Sequence, residues 1–464
     1  MGLGISDTSK DAVSPVIREE LELQHIPRSS AQPFELQSRQ SIDDEKISDT
    51  AEKVGLGDPD NSSDRDDGPA SFALYSSEEE QTVLRKFDRH LVLFIALLYM
   101  LCFLDRSNIG NAKIAGMSDD LHLTSSQYEW ALRSFYITYL LFEWMPILYT
   151  VLSPSTYIAC CVLAWGAIAS LQALATSFGS LCFLRTLLGI SEAAFSPGVP
   201  IFLASFYKRD ELAFRIGLFV SAAPLATSFA SSLAWLITRL GQGSPIAPWR
   251  MLFLIEGFPS VLISVFAFYQ IPNAPGEAKY LSKRERRVAE LRLSKGRPET
   301  NREDGRGRFE WIEIWEALKD PKCYVTAAMF CSCNVAFSSL PVFLPTIIND
   351  MGYSTLSSQA LSAPPYLVAF VVVLLTTFYS DKFRNRSLFI CFHALLASTG
   401  YAMITVAGVF KAGPMWRYWG VYPAASGFFS VVTLLITWTI NNQVRVLIIL
   451  RGCQVVTRRL IAHT

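Results

Sequence analysis

The sequence predicts an all-α polytopic membrane protein with a six-helix N-terminal bundle, a basic linker and an incomplete C-terminal bundle of four helices. Of its 464 residues, 51% are hydrophobic and only 18% are charged, which is too apolar for a soluble protein of this size. Apolar runs of about 20 residues, the length that crosses a bilayer core of about 30 Å, recur along the chain. A segment rich in Lys and Arg, 272–322, separates six of these runs from the others.

The first 84 residues precede all of these runs. They are rich in Ser, Asp, Glu and Gln and poor in aromatic residues, so they cannot bury enough apolar surface to fold. We expect residues 1–84 to be a disordered acidic cytoplasmic tail.

About ten membrane spans follow, six in a bundle at 85–271 and four in a bundle at 323–443. They are predicted near residues 90–110, 130–151, 157–177, 181–206, 213–238, 249–271, 323–345, 360–380, 387–409 and 417–439. Lys and Arg near span ends stay on the cytoplasmic side. Arg85 precedes the first span, and Lys208 and Lys382 follow the fourth and the eighth. This pattern predicts a cytoplasmic N-terminus. We expect an integral protein of the plasma membrane, or alternatively of the vacuolar membrane.

The linker, 272–322, is predicted to be cytoplasmic. Its part from Ser282 to Leu293 has the pattern of a short amphipathic helix, whose basic residues could meet anionic lipid headgroups. A solvated charged helix is the expected arrangement.

A major facilitator has this layout, with six spans, a basic loop and further spans. Its two halves rock around a central site. Particular segments add a closer resemblance: "FLDRSNIGNA" (103–112), "LRTLLGISEAAFSPG" (184–198), "PWRMLFLIEGFPS" (248–260), "FLPTIINDMGYS" (343–354), "PPYLVA" (364–369) and "WTINNQ" (438–443). Together they resemble the fungal allantoate permease family, one of the anion:cation symporters of the major facilitator superfamily. The resemblance implies a major facilitator fold and proton-coupled symport of a small organic anion such as allantoate, nicotinate, pantothenate, biotin or ureidosuccinate.

The resemblance also implies three site residues. The same segments are similar, more distantly, to the vesicular glutamate, sialic acid and sodium-phosphate transporters. In those proteins an Arg of the first span, with an Arg and a Glu of the fourth, serves the anion site and its proton coupling. The matching positions here are Arg106, Arg185 and Glu192.

Arg185 and Glu192 also stand out without any family. A charge at mid-membrane costs about 2.5–3.5 kcal/mol, so both must face a cavity or partners. Seven residues at about 100° each return to nearly the same helix face, which is too long a spacing for a pair within the helix. We expect Arg185 to bind a carboxylate, Glu192 to carry the proton, and both to face a watery passage. The alternative is that each pairs with another helix and locks the bundle.

Other polar residues of the spans give weaker indications. Arg106 is assigned to the anion site, and Asp105 either to an interhelical contact or to the membrane interface. Glu143, placed deep in the second span, is either a second proton-coupling group or a packing partner. Glu256 is expected in a structural pair near the outer end of the sixth span. His393 is expected to be a satisfied core residue.

Aromatic side chains are the remaining candidates for the site. Tyr136 and Tyr366 are assigned to substrate binding, and with Tyr139, Phe195 and Trp438 they could stack a flat heterocycle. The alternative for each of them is packing, or anchoring at the membrane interface.

Two features depart from the family. The loop at 148–158 carries no charge where major facilitators have several basic residues, so some gating contacts must be replaced or lost. After Gln443, Arg residues interrupt any run long enough to cross the membrane, so 444–464 is expected to be an aberrant tail. The alternative to a transporter is therefore a non-transporting truncated product or a transporter-like nutrient sensor.

Other functional classes have little support in the sequence. It lacks a nucleophile elbow, a phosphate loop and a metal motif, so we expect neither an enzyme nor a cofactor or metal, and the proton is the coupling ion. We expect a monomer in the lipid bilayer whose partners are a small organic anion and protons, without nucleic acid.

Overall fold

The computed structural model describes residues 75–150, 152–241, 243–294, 319–383, 385–410 and 413–442, which lie in one compact unit, 69–464. The predicted acidic tail up to residue 74, the linker from 295 to 318 and the predicted aberrant tail at 444–464 lie outside the described residues. The described part of the chain is helical and contains no strand, which confirms the predicted fold class.

The helices are labelled in chain order. They are α1 (Ser77–Phe87), α2 (Leu93–Ala112), α3 (Ser125–Leu141), α4 (Pro154–Leu171), α5 (Phe178–Ala193), α6 (Gly198–Leu203), α7 (Arg209–Leu240), α8 (Pro248–Gln270), α9 (Lys283–Ser294), α10 (Pro321–Asp350), α11 (Thr355–Phe383), α12 (Arg386–Val409) and α13 (Pro414–Asn442). A π-helical turn, Asp88–Val92, joins α1 to α2 without a break.

Nine helical segments of the described residues are long and apolar enough to cross a membrane. The predicted second span, 130–151, is not among them. It corresponds to α3, which is capped by Thr124 and has 17 residues, about 26 Å at 1.5 Å per residue. A turn at 142–144 and a 3-10 segment, Met145–Thr150, follow it. The prediction that this helix reaches residue 151 is therefore wrong. The Pro at 146 has no N–H with which to continue it.

The predicted boundary of the acidic tail at residue 84 is also wrong, because α1 begins at Ser77. The Ser76 hydroxyl accepts a hydrogen bond from the Glu79 N–H, and the Glu79 carboxylate accepts one from the Ser76 N–H. Acidic residues fill the first turn and basic residues the last, which suits the helix dipole. Val83 and Phe87 are buried, so this short helix is held by packing as well as by its cap.

The first bundle contains α2 to α8. Within it α4 packs against α8, α2 against α7, and α3 against α5. Its core contains large side chains that are fully buried, among them Trp165, Phe195 and Phe206.

The second bundle contains α10 to α13, and it meets the first along three helix pairs of the described residues, α7 with α11, α7 with α13 and α2 with α10. Gly217 of α7 lies against Thr377 of α11, and Gly110 of α2 lies against the Val342 carbonyl of α10. A Cβ at either glycine would overlap its neighbour. Gly217 is near the start of α7 and Gly110 is near the end of α2, so the bundles are in contact at both ends.

Large apolar side chains are exposed on the outward faces of both bundles. Leu140, Phe183, Phe266, Leu395 and Val409 are examples. A water-soluble monomer rarely exposes so much apolar surface, whereas lipid tails accept it. The chain is an integral membrane protein with several transmembrane helices.

Ion pairs attach α1 and α9 to one end of the first bundle, and we call them the linker-face cluster. Arg292 of α9 is fully buried and pairs with Glu80 of α1 and Glu211 of α7. Lys86 of α1 pairs with Glu285 of α9 at 2.7 Å. Helix α9 lies where the sequence predicts an amphipathic helix. Several of its charges, however, pair with charged groups of α1 and α7.

Candidate functional site

The central feature of the first bundle is an ion pair between Arg106 of α2 and Glu192 of α5. Nη2 of Arg106 lies 2.8 Å from Oε2 of Glu192, and Nε donates to the same oxygen at 2.9 Å. The Glu192 side chain is 0% exposed and that of Arg106 is 11% exposed. Glu192 is in the last turn of α5, which ends at Ala193 before a turn that leads into α6.

Aromatic rings enclose the Arg106 guanidinium on its other sides. Its central carbon lies 4.8 Å from the Tyr139 ring centroid, 5.4 Å from that of Phe135 and 5.7 Å from that of Phe103. Aromatic faces attract a desolvated cation, so the rings and the carboxylate together stabilise a charge that lipid would exclude.

Arg185 occupies a separate position one to two turns away from Glu192 on α5. It is 1% exposed, and its guanidinium carbon lies 5.6 Å from the Phe253 ring centroid of α8. Its Nε and Nη2 are buried without a hydrogen-bond partner among the described residues. The structure thus brings Arg106 and Glu192 together and leaves Arg185 with unused donors. In this conformation both predicted residues of α5 are enclosed by protein.

The neighbouring carboxyl groups point elsewhere. Asp105 is buried and accepts a hydrogen bond from Ser260 of α8 at 3.4 Å, so of its two predicted arrangements the structure has the interhelical contact. Glu256 lies inside α8, away from its outer end, and neither of its carboxylate oxygens has a hydrogen-bond partner within the described residues. The predicted structural pair for Glu256 is therefore wrong.

The position predicted for Glu143 is also wrong. The residue is exposed, and it lies in the turn at 142–144 after α3 has ended. Sequence reasoning placed it deep in a span because the apolar run continues to residue 151, but the helix does not continue with it.

The predicted aromatic residues divide between the site and the core. The Tyr136 hydroxyl donates to the Ser338 carbonyl of α10 at 3.2 Å and so joins the two bundles. Tyr366 is fully buried, and its hydroxyl has no partner among the described residues. Phe195 instead packs against Trp165 at 5.0 Å in the core of the first bundle. Trp438 lies against a small apolar cluster of the second bundle.

His393 is a core residue, as the sequence predicts, but only one of its ring nitrogens has a hydrogen-bond partner among the described residues. It is buried in α12, and its Nε2 is 2.8 Å from the Thr376 hydroxyl of α11. No group of three His, Cys, Asp or Glu side chains in the described ranges could hold a metal ion.

Sequence reasoning selected Tyr139 but missed the other two rings around Arg106, Phe103 and Phe135. Phe103 is three residues before Arg106 and so lies one turn away on the same face, a spacing that could have indicated it. Phe135 is adjacent in sequence to Tyr136, which the analysis did select. No local signal connects Phe135 to an arginine of another helix.

Comparisons with known proteins agree with these observations. The chain matches the family described as Major Facilitator Superfamily over residues 95–445. It is 33% identical over 379 residues to the MFS transporter prlL of a fungal species (strain NRRL 50135), an alignment that covers 79% of this chain and 74% of that protein. It is 31% identical over 366 residues to the high-affinity nicotinic acid transporter of Saccharomyces cerevisiae, covering 78% of this chain and 66% of that protein.

Solved structures share the fold. One is the proton:xylose symporter XylE bound to 6-bromo-6-deoxy-D-glucose, with a TM-score of 0.59 and 15% identity over 80% of this chain and 87% of that one. Another is a bacterial homologue of the human lysosomal transporter Spinster in an inward-facing and occupied conformation, with a TM-score of 0.53 and 18% identity over 80% of each chain. At these identities the likeness concerns the fold alone.

Proposed function

From the finding that this chain belongs to the Major Facilitator Superfamily, and is a membrane transporter and not an enzyme, we propose that it carries a small organic anion together with protons. Transport proceeds by alternating access, in which the two bundles rock about a central site. The resemblance to allantoate permeases favours a carboxylate substrate such as allantoate, nicotinate or pantothenate. The relative whose name specifies nicotinic acid supports the same class.

The observation that carries this proposal is the buried ion pair between Arg106 and Glu192. As long as Glu192 is ionised, its charge neutralises that of the Arg106 guanidinium and leaves no net positive charge for a ligand. When a proton binds Glu192, the carboxyl becomes neutral and Arg106 is left as a desolvated cation. A substrate carboxylate restores the balance, because its planar pair of oxygens matches the guanidinium fork. One proton and one carboxylate thus enter together, and the pair re-forms after both have left.

Arg185 extends the site along α5. Its two unpaired nitrogens are donors within a protein interior, where such groups are costly to leave without a partner. In the proposed cycle they bind a second polar group of the anion when the bundles move. Tyr136 and Tyr366 supply hydroxyls from the two sides of the central interface. Glu143 is outside this arrangement, so we assign the proton to Glu192 alone.

The proposed setting is the plasma membrane, with a monomer whose N-terminus and linker are cytoplasmic. The linker-face cluster would then lie in the cytoplasm, where water and salt reach its outer charges.

The experiment compares Glu192→Gln with a matched control, Glu143→Gln, in proteoliposomes that contain the full chain. Labelled nicotinate and pantothenate are supplied outside at pH 5.5 with an interior at pH 7.5. We expect the wild type and the control to accumulate at least one of these anions above equilibrium. Glu192→Gln should lose accumulation but retain exchange of labelled for unlabelled anion, because a permanently neutral residue 192 cannot carry the proton.

Two outcomes would contradict the proposal. One is gradient-driven accumulation by Glu192→Gln at the wild-type level. The other is a correctly folded wild type that accumulates none of a panel of small carboxylates.

A further inference from the structure

Five aromatic rings fill the interface between the two bundles, and we call them the ring cluster: Phe103, Phe337, Tyr366, Phe428 and Phe429. They come from α2 of the first bundle and from α10, α11 and α13 of the second. Ring centroids are 5.3 Å apart for Phe103 and Phe337, 5.3 Å for Phe337 and Phe429, and 6.1 Å for Phe429 and Tyr366. All three pairs are edge to face, the arrangement that aromatic rings prefer.

The ring cluster ends at the proposed anion site. The Phe103 ring lies between the Arg106 guanidinium, at 5.7 Å, and the rings of the second bundle. A carboxylate bound to Arg106 between the bundles therefore has to place the rest of the molecule against Phe103, Phe337 and Phe429. The surfaces that these three residues present are uncharged ring faces and edges.

One member of the ring cluster, Tyr366, carries a buried polar group. The Tyr366 hydroxyl is fully enclosed, and it lacks a hydrogen-bond partner among the described residues. Native proteins rarely leave such a group unpaired, because burial removes its hydrogen bonds to water. A ligand atom that accepts or donates a hydrogen bond would satisfy it.

We propose that the ring cluster is the binding surface for the body of the substrate, and that the substrate is a planar aromatic or heteroaromatic monocarboxylate. This inference rests on the proposed anion site at Arg106. A flat substrate ring can insert between the bundles. It would then replace one of the contacts between rings of the cluster with a contact to itself, at a similar distance between ring centroids. A saturated ring is thicker and lacks the aromatic quadrupole, so it makes poorer contacts with the edges and faces of these rings.

The test measures binding to the purified full chain by isothermal titration calorimetry, with no membrane gradient. The ligands are benzoate, nicotinate and cyclohexanecarboxylate, of which the last has the size of benzoate but is not planar. We expect the wild type to bind the two aromatic acids roughly tenfold more tightly than the saturated acid.

Substitutions in the ring cluster test whether these rings cause the preference for aromatic acids. Phe337→Leu and Phe429→Leu should each reduce the ratio of the two affinities about fivefold by weakening benzoate binding, with little change for cyclohexanecarboxylate. Phe392→Leu, at an exposed ring on the outer face of α12, is the matched control and should keep the wild-type ratio. Phe429→Tyr retains a ring, so it should keep the preference even if a leucine at this position prevents folding.

Equal affinity of the wild type for benzoate and cyclohexanecarboxylate would overturn the inference. So would leucine variants that weaken both ligands alike, or a folded protein that binds neither aromatic acid. The outcome is separable from that of the proposed function. Binding of benzoate without proton-driven accumulation contradicts only the transport proposal. Accumulation of aliphatic carboxylates without an aromatic preference contradicts only the role of the ring cluster.

Discussion

Replacing Glu192 by Gln should destabilise the protein through the charge that it leaves behind. Arg106 would remain in the protein interior with three aromatic rings but no anion, since the carboxylate oxygen 2.8 Å away is the one that neutralises it. Removal of one partner of a buried pair costs about 3–5 kcal/mol. Because the Arg106 side chain is 11% exposed, a little water can reach it, and we expect about 3 kcal/mol, the lower end of this range.

A double-mutant cycle tests this reasoning. Arg106→Met should cost a similar amount because it leaves Glu192 buried without a cation. The double variant removes both charges, so its cost should be close to that of one single variant, with an interaction energy of about 3 kcal/mol. The free energies of unfolding are measured by reversible denaturation of the full chain in mixed micelles at pH 7.5. Additive effects of the two substitutions would refute a direct pair between these side chains.

Three further predictions concern the periphery of the molecule. Arg292→Met should lower the free energy of unfolding by about 3 kcal/mol, because the guanidinium is fully buried between two carboxylates. Arg284→Met, at a side chain that is 75% exposed, should lower it by under about 1 kcal/mol in the same assay. The hydrogen bond and charge of Lys86 hold the pKa of Glu285 below its usual value. Its contribution, at most about 1 kcal/mol, is therefore present above about pH 4.3 and is lost as the pH falls through the lowered pKa. The difference in stability between wild type and Glu285→Gln should shrink as the pH falls through the lowered pKa of Glu285. A difference that is constant with pH would contradict the pair. Gly217→Leu should prevent the close approach of α7 and α11. Thiol reagents should therefore label cysteines introduced at this end of the interface faster than they label the same cysteines with Gly217 in place. Unchanged labelling rates would show that the contact is not required.

The sequence predicted the membrane architecture well because that information is local. A span must be apolar over about 20 residues and must satisfy its backbone hydrogen bonds within the helix, so each span can be recognised without its neighbours. The errors arose where an apolar run and a helix have different ends. The run that contains Glu143 continues past the helix, and the acidic residues before Arg85 form a capped helix because Val83 and Phe87 bury one of its faces.

The candidate site required more than local information. Helical periodicity placed Arg185 and Glu192 on one face of α5, and both are indeed buried there. The partner of Glu192 is Arg106, which lies 86 residues earlier on another helix. The resemblance assigned both residues to a site but did not pair them. Nothing near Phe337 or Phe429 in the sequence indicates that their rings meet Phe103.

The sequence by itself thus determined that this protein crosses the membrane repeatedly, where most spans lie and which few charged residues the bilayer would not tolerate without partners. Hydrophobic length and helix periodicity are properties of a single segment, so they can be read along the chain. Only the tertiary structure decided which helices approach one another, and therefore that Glu192 neutralises Arg106, that Arg185 retains unpaired donors and that rings from both bundles meet. These contacts depend on the packing of residues far apart in sequence, where burial removes water and makes each polar group depend on its neighbours.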